Sequence, residues 1–141
     1  MVFTFLLFLA FGLIQYTALF TASTELASIA RDGVRYAAKH GTTNTTLYRV
    51  PGQQNASLIS TDTAIRHYVR SVAEATSIDS AHLPDSSITI TPALGEVQRT
   101  SGSPITVSLR YDLRRRLFLS RNLPGISHIG IVNASATMII E

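Results

Sequence analysis

Residues 1–41 read MVFTFLLFLAFGLIQYTALFTASTELASIARDGVRYAAKHG, and the helical register through this stretch decides the fold. Met1–Thr24 carries no charged side chain, and its polar insertions are mild: Thr4, Gln15 and Thr17. From Ala22 to His40 the pattern turns amphipathic. Leu26, Ile29, Ala30, Gly33, Val34 and Ala37 recur at i, i+3, i+4 spacing, opposite a polar stripe of Glu25, Ser28, Asp32, Arg35 and Lys39. No Pro occurs before Pro51, so one helix is expected from Val2 to His40, about 58 Å long at 1.5 Å per residue. Gly41 ends it, with Lys39 and His40 well placed for the C-terminal dipole. The apolar stripe is built mostly of small residues, which suits close packing on a sheet.

The whole chain has 141 residues, with 12 basic and 9 acidic side chains, all at or beyond Glu25. It therefore divides into an apolar arm, residues 1–24, and one globular domain, residues 25–141, whose first helix continues the arm. As a helix the arm reaches about 36 Å, enough to cross a hydrocarbon layer of roughly 30 Å. No Lys or Arg precedes it and the helical pattern runs on past it, unlike a cleaved signal peptide, so the arm is expected to belong to the mature protein. Gly12 is its expected hinge. These numbers argue against a multidomain enzyme, a polytopic membrane protein and a disordered chain. The chain has no Cys, hence no disulfide framework and no thiolate chemistry.

Beyond the helix, Gly41–Ser60 is rich in Thr, Asn, Gln, Gly and Pro and reads as a polar loop. It holds two glycosylation sequons, at Asn44 and Asn55, and a third lies at Asn133. A plain solvated loop is the default reading. A second helix follows, capped by Ser60 or Thr61, ending near Ser77, with Ile65, Tyr68, Val69, Val72 and Ala73 facing the core. Three strands with one apolar and one polar face close the domain: 86–92, 105–114 and 128–141. The expected architecture is α+β. The C-terminal half of a long apolar helix packs under a small antiparallel sheet, beside a second short helix.

Chemistry-bearing patterns are sparse. His40, His67, His82 and His128 have no zinc-ligand spacing, no Gly-rich phosphate loop or nucleophile motif occurs, and the acidic residues are scattered. No metal, no cofactor and no enzymatic activity are expected. The one charge cluster is Arg114-Arg115-Arg116 with Arg121. It reads as a solvated loop, or as a dock for acidic residues of a neighbouring subunit, for an anionic surface or for DNA. Subunit contact is favoured over DNA, because Glu25, Asp32 and Asp112 need partners; Arg35 joins them as a candidate subunit contact.

Two blocks carry a resemblance. The first is Gly12-Leu13-Ile14-Gln15-Tyr16; the second is Ala30-Arg31-Asp32-Gly33-Val34-Arg35-Tyr36-Ala37-Ala38. Their content and spacing resemble the TadE-like family of pilus-assembly proteins, which are type IV pilin-like, so the resemblance implies a pilin-like α+β fold, and Asn133–Glu141 looks like that family's closing strand. Gln15 stands where the family usually has an acidic residue, and Phe5 where a pilin-type Glu is expected. The resemblance implies a structural subunit of an extracellular type IV pilus-like filament, or a minor membrane-anchored pseudopilin that primes or anchors a filament of other subunits. It implies copies of itself and the pilus assembly machinery as partners. It also implies an inner (cytoplasmic) membrane location before assembly and a filament or cell-surface location after. Phe3, Phe5, Leu7, Phe8, Phe11, Leu13, Ile14 and Tyr16 are the expected contacts, first with lipid and then within the filament core.

Overall fold

A computed structural model describes residues 2–49, 56–94, 99–113 and 130–141. Helix α1 runs from Val2 to His40 as one unbroken element. A hairpin of β1 (Thr45–Tyr48) and β2 (Ser57–Ser60) leads into α2 (Thr61–Glu74). Two single 3₁₀ turns, Ser80–His82 and Asp85–Ser87, then connect to β3 (Ile88–Thr91), β4 (Pro104–Asp112) and β5 (Ile131–Ile139). The last three strands form an antiparallel sheet with β4 in the middle, and Leu109 lies opposite Ile88 on one side and Ala134 on the other. The α+β layout expected from the periodicity is present.

The core forms where the amphipathic half of α1 meets the sheet and α2. Leu26, Ile29, Ala30, Val34 and Ala37 are buried against Ile65 and Val69 of α2 and Ile105, Val107 and Leu109 of β4. Burying each large aliphatic side chain contributes about 1.5–3 kcal/mol before chain entropy is counted. Tyr111 is fully buried, and its phenolic oxygen accepts the Asp79 N–H at 3.3 Å, so the polar tip is satisfied inside the core. Gly33 sits at the tightest crossing. A Cβ there would lie 2.7 Å from Val69 Cγ2 and 3.6 Å from Val107 Cγ1.

The end of α1 is tied down by the end of the chain. The Glu141 N–H donates to Ala38 O at 3.1 Å, satisfying one of the helix's orphan carbonyls. Gly41 follows the last turn as expected, but space rather than a left-handed backbone requires it. A Cβ would meet Ala37 O at 2.7 Å, and the left-handed glycines among the described residues are Gly102 and Gly130.

Three local expectations need correction. Gly41–Ser60 is not all loop: Thr45–Tyr48 pairs with Ser57–Ser60, and Thr46 and Tyr48 turn inward. Helix α2 ends at Glu74 rather than near Ser77; Ile65, Val69 and Ala73 are buried and Val72 packs partly buried against the core as expected, while Thr61 and Ala64 join the buried face and Tyr68 is half-exposed. Ser60 is its cap, accepting from the Thr63 N–H at 3.3 Å. Met138 is exposed, while Ile140 is buried beside Gly41.

Candidate membrane and assembly helix

The arm makes almost no contact with the domain. Phe3, Phe5, Leu7, Phe8, Phe11, Leu13, Ile14 and Tyr16 are all exposed, from 44% at Leu7 to 75% at Phe3. They lie around the whole circumference, not on one face. The most apolar 18-residue window of α1 has a mean hydropathy of 2.0 and none of it is buried. Among the described residues, α1 is the one helix long and apolar enough to cross a membrane.

Two hydroxyls on the arm are satisfied locally. Thr17 Oγ1 donates to Leu13 O at 2.9 Å, and Thr24 Oγ1 to Thr21 O at 2.8 Å. Such back-bonding pairs these two donors without a partner from outside the helix. At Gly12 a Cβ would meet nothing within 4 Å, so its small size serves no contact within this chain. Burial begins with Leu19, which packs partly on the core, and Ala22. Beside this root an apolar cleft of about 370 Å³ opens between Ile14, Ala18 and Ala22 of the arm and Ile78, Tyr111 and Leu113 of the domain.

The charged candidates separate. Glu25 is held within the chain: Ser77 Oγ donates to its Oε2 at 2.5 Å. Asp32 is half-exposed and Arg35 exposed, and no ion pair engages either among the described residues. Arg114, Arg115 and Arg116 lie outside the described residues, as do Arg121 and His128. Three ion pairs form among the described residues: Arg70–Asp85 at 3.1 Å, His82–Asp79 at 2.9 Å and Arg99–Asp62 at 2.6 Å.

The histidines within the described residues have structural company. His40 tilts against Tyr36 with ring centroids 4.6 Å apart, and His67 stacks on Tyr48 at 5.9 Å. Tyr36 itself stacks on Tyr68 at 4.5 Å. Burial, aided by the neighbouring Tyr48 and Tyr68, holds the Tyr36 phenol above its ordinary pKa of 10.0. Among the described residues no three His, Asp or Glu side chains come together as a metal site.

Three features were not read from the sequence. The root cleft joins residues far apart in the chain, from Ile14 to Leu113. The Arg99–Asp62 pair links the segment after β3 to the first turn of α2; Arg99 Nε also donates to Pro92 O at 2.9 Å. The Tyr36–Tyr68 stack joins α1 to α2. In comparisons with known proteins, no family model, no curated protein and no solved structure matches this chain.

Proposed function

We propose that this chain is a structural subunit of an extracellular type IV pilus-like filament, held in the inner (cytoplasmic) membrane by its arm before assembly. The observation that carries the reading is one continuous helix with two environments. Residues 2–20 leave large apolar side chains exposed on every side, while Ala22–Ala38 of the same helix form the domain core. An exposed apolar surface of that extent needs a lipid or protein partner. A rigid join between arm and domain lets each copy present its arm at a fixed angle. In the filament, neighbouring arms replace lipid around Phe3, Phe5, Leu7, Phe8, Phe11, Leu13, Ile14 and Tyr16. The root cleft receives part of a neighbour's arm. Asp32 and Arg35, and with them the Arg114–Arg116 cluster of the sequence, serve as polar contacts between copies and with the assembly machinery. The role is structural, with no catalytic step and no cofactor.

The similarity of Ala30–Ala38 to TadE-like proteins supports a second reading. In it the chain is a minor membrane-anchored pseudopilin that primes or anchors a pilus made of other subunits. Quantitative mass spectrometry of purified fibres separates the two. A filament subunit is the dominant polypeptide, one copy per helical step; a priming subunit is present at a few copies per fibre. Fibres that lack the chain altogether refute both.

A further inference from the structure

Among the described residues, the sheet face turned away from α1 is a polar array with one cation in it. Two rows of hydroxyls cross the three strands in register: Thr91–Thr106–Thr137 and Thr89–Ser108–Ser135. In the next row the central position is Arg110, with Asn133 directly opposite on β5. Arg110 is exposed, and among the described residues no hydrogen bond or ion pair engages it. Nearby carboxylates are committed elsewhere: Asp85 to Arg70, Asp79 to His82, and Asp112 is not free.

Two grooves converge on this guanidinium. One, of about 420 Å³, runs over Ser87, Arg110, Asn133 and Ser135; the other, of about 290 Å³, runs from Arg110 to His82 and Pro84 and has Asp112 in its lining. We propose that this groove binds an acidic sugar, with the carboxylate of a uronic-acid residue on Arg110 and the ring hydroxyls on the Ser and Asn side chains. The charge selects the anion, since an unpaired guanidinium offers a planar fork that matches a carboxylate with two parallel hydrogen bonds. The surroundings select the rest of the ligand. Hydroxyl and amide groups both donate and accept, as sugar hydroxyls do, and the apolar residues in the lining of the larger groove are Ala134 and Leu109, the latter buried, which leaves little for a hydrophobic ligand. Among the described residues the grooves offer one guanidinium, with the Asp112 carboxylate also in their lining, which disfavours a polyphosphate, whose binding needs several neutralising contacts. The site lies on the sheet face, away from the arm, so it does not depend on the filament reading and can be tested on monomers.

The test uses the full chain in detergent micelles, titrated with a galacturonic-acid trisaccharide, a neutral glucose trisaccharide and inorganic phosphate. The uronate should bind at least about tenfold more tightly than either comparison ligand, the usual worth of a charge-assisted hydrogen bond. Arg110→Gln should weaken it by a similar factor, and Arg35→Gln, a charge-matched control on α1, should leave it unchanged. Asn133→Asp sets a carboxylate opposite Arg110 and should compete the ligand out without removing the cation. Circular dichroism confirms the fold of each variant. The proposal is overturned by undetectable uronate binding, by equal binding of the neutral sugar or phosphate, or by equal losses in Arg110→Gln and Arg35→Gln. It is equally overturned if a folded Asn133→Asp variant binds as tightly as the parent.

Discussion

Ser77 Oγ donates to Glu25 Oε2 at 2.5 Å across 52 positions of the chain. The first charge after the arm is thus anchored to the turn that follows α2, at the level where α1 leaves the domain. The bond fixes the angle of the arm from the outside, as the core fixes it from the inside. Removing either group should cost about 0.5–1 kcal/mol, a modest value because the pair is exposed. Glu25→Gln and Ser77→Ala should also be non-additive. Denaturant unfolding of both single variants and the double variant in micelles checks this; strictly additive losses would mean that the two groups do not act together.

The Arg99–Asp62 pair should behave differently because it is shielded. The Arg99 side chain is 2% exposed and Asp62 17%. Besides the ion pair, Asp62 Oδ2 accepts the Leu94 N–H at 3.1 Å, and the Arg99 guanidinium donates to Pro92 O through Nε and Nη2. Deleting one partner of a buried pair strands the other, at a cost of about 3–5 kcal/mol in the fully buried limit. The more buried partner is the worse one to strand. Asp62→Ala should therefore destabilise more than Arg99→Ala, by about 1 kcal/mol, as read from unfolding midpoints. The reverse order would refute the argument.

What the sequence made legible follows from period and length. Helix α1 stood out because its register runs unbroken from Val2 to His40, and β4 because Ile105, Val107, Leu109 and Tyr111 alternate with polar neighbours. The β1–β2 hairpin was hidden because its pattern is inverted. Thr46 is buried while Leu47 and Leu58, facing each other across the ladder, are exposed. Hydropathy alone assigns that stretch to solvent. Partners such as Ser77 for Glu25, or Asp62 for Arg99, depend on tertiary approach and leave no local signal. The apolar arm was legible as a span, because length and hydropathy need no tertiary contact.

Two glycines of α1 should respond in opposite ways to the same substitution. At Gly33 an alanine Cβ would strike Val69 Cγ2 at 2.7 Å, and a β-branched side chain has little freedom to turn aside. Overpacking of about 1–3 kcal/mol then outweighs the gain of about 1 kcal/mol in helix propensity. Gly33→Ala should lose stability, and adding Val69→Ala should recover part of it. At Gly12 nothing lies within 4 Å of a new Cβ, so Gly12→Ala should hold or raise monomer stability. Thermal unfolding in micelles compares the three variants; a stabilised Gly33→Ala would show that the α1–α2 crossing is looser than drawn.

Tyr36 sets an alkaline limit. Burial raises its folded pKa above 10.0, with Tyr48 and Tyr68 adding to the effect. A raised pKa means that the folded state prefers the neutral phenol more than the unfolded chain does. The contribution is whole below pH 10 and disappears as pH climbs through the raised value. Tyr36→Phe cannot ionise, so its stability should fall less steeply than the parent's above pH 10. Parallel unfolding curves across pH 9–11 measure the difference; identical slopes would remove Tyr36 as the cause.

The arm's role as a span gives a depth-dependent prediction. If residues 2–21 cross the hydrocarbon, Phe11 lies at its middle and Thr24 just outside it. A carboxylate at the centre of a spanning helix costs about 2.5–3.5 kcal/mol, and one at the edge costs little. Both side chains are exposed, so neither substitution should disturb the domain core. Phe11→Asp should therefore move a large fraction of the expressed chain from the carbonate-washed membrane pellet to the supernatant or to degradation. Thr24→Asp should fractionate as the parent does. Circular dichroism of the purified variants should show the same fold for both. Equal membrane retention of the two variants would mean that the arm lies against a protein surface rather than across a bilayer.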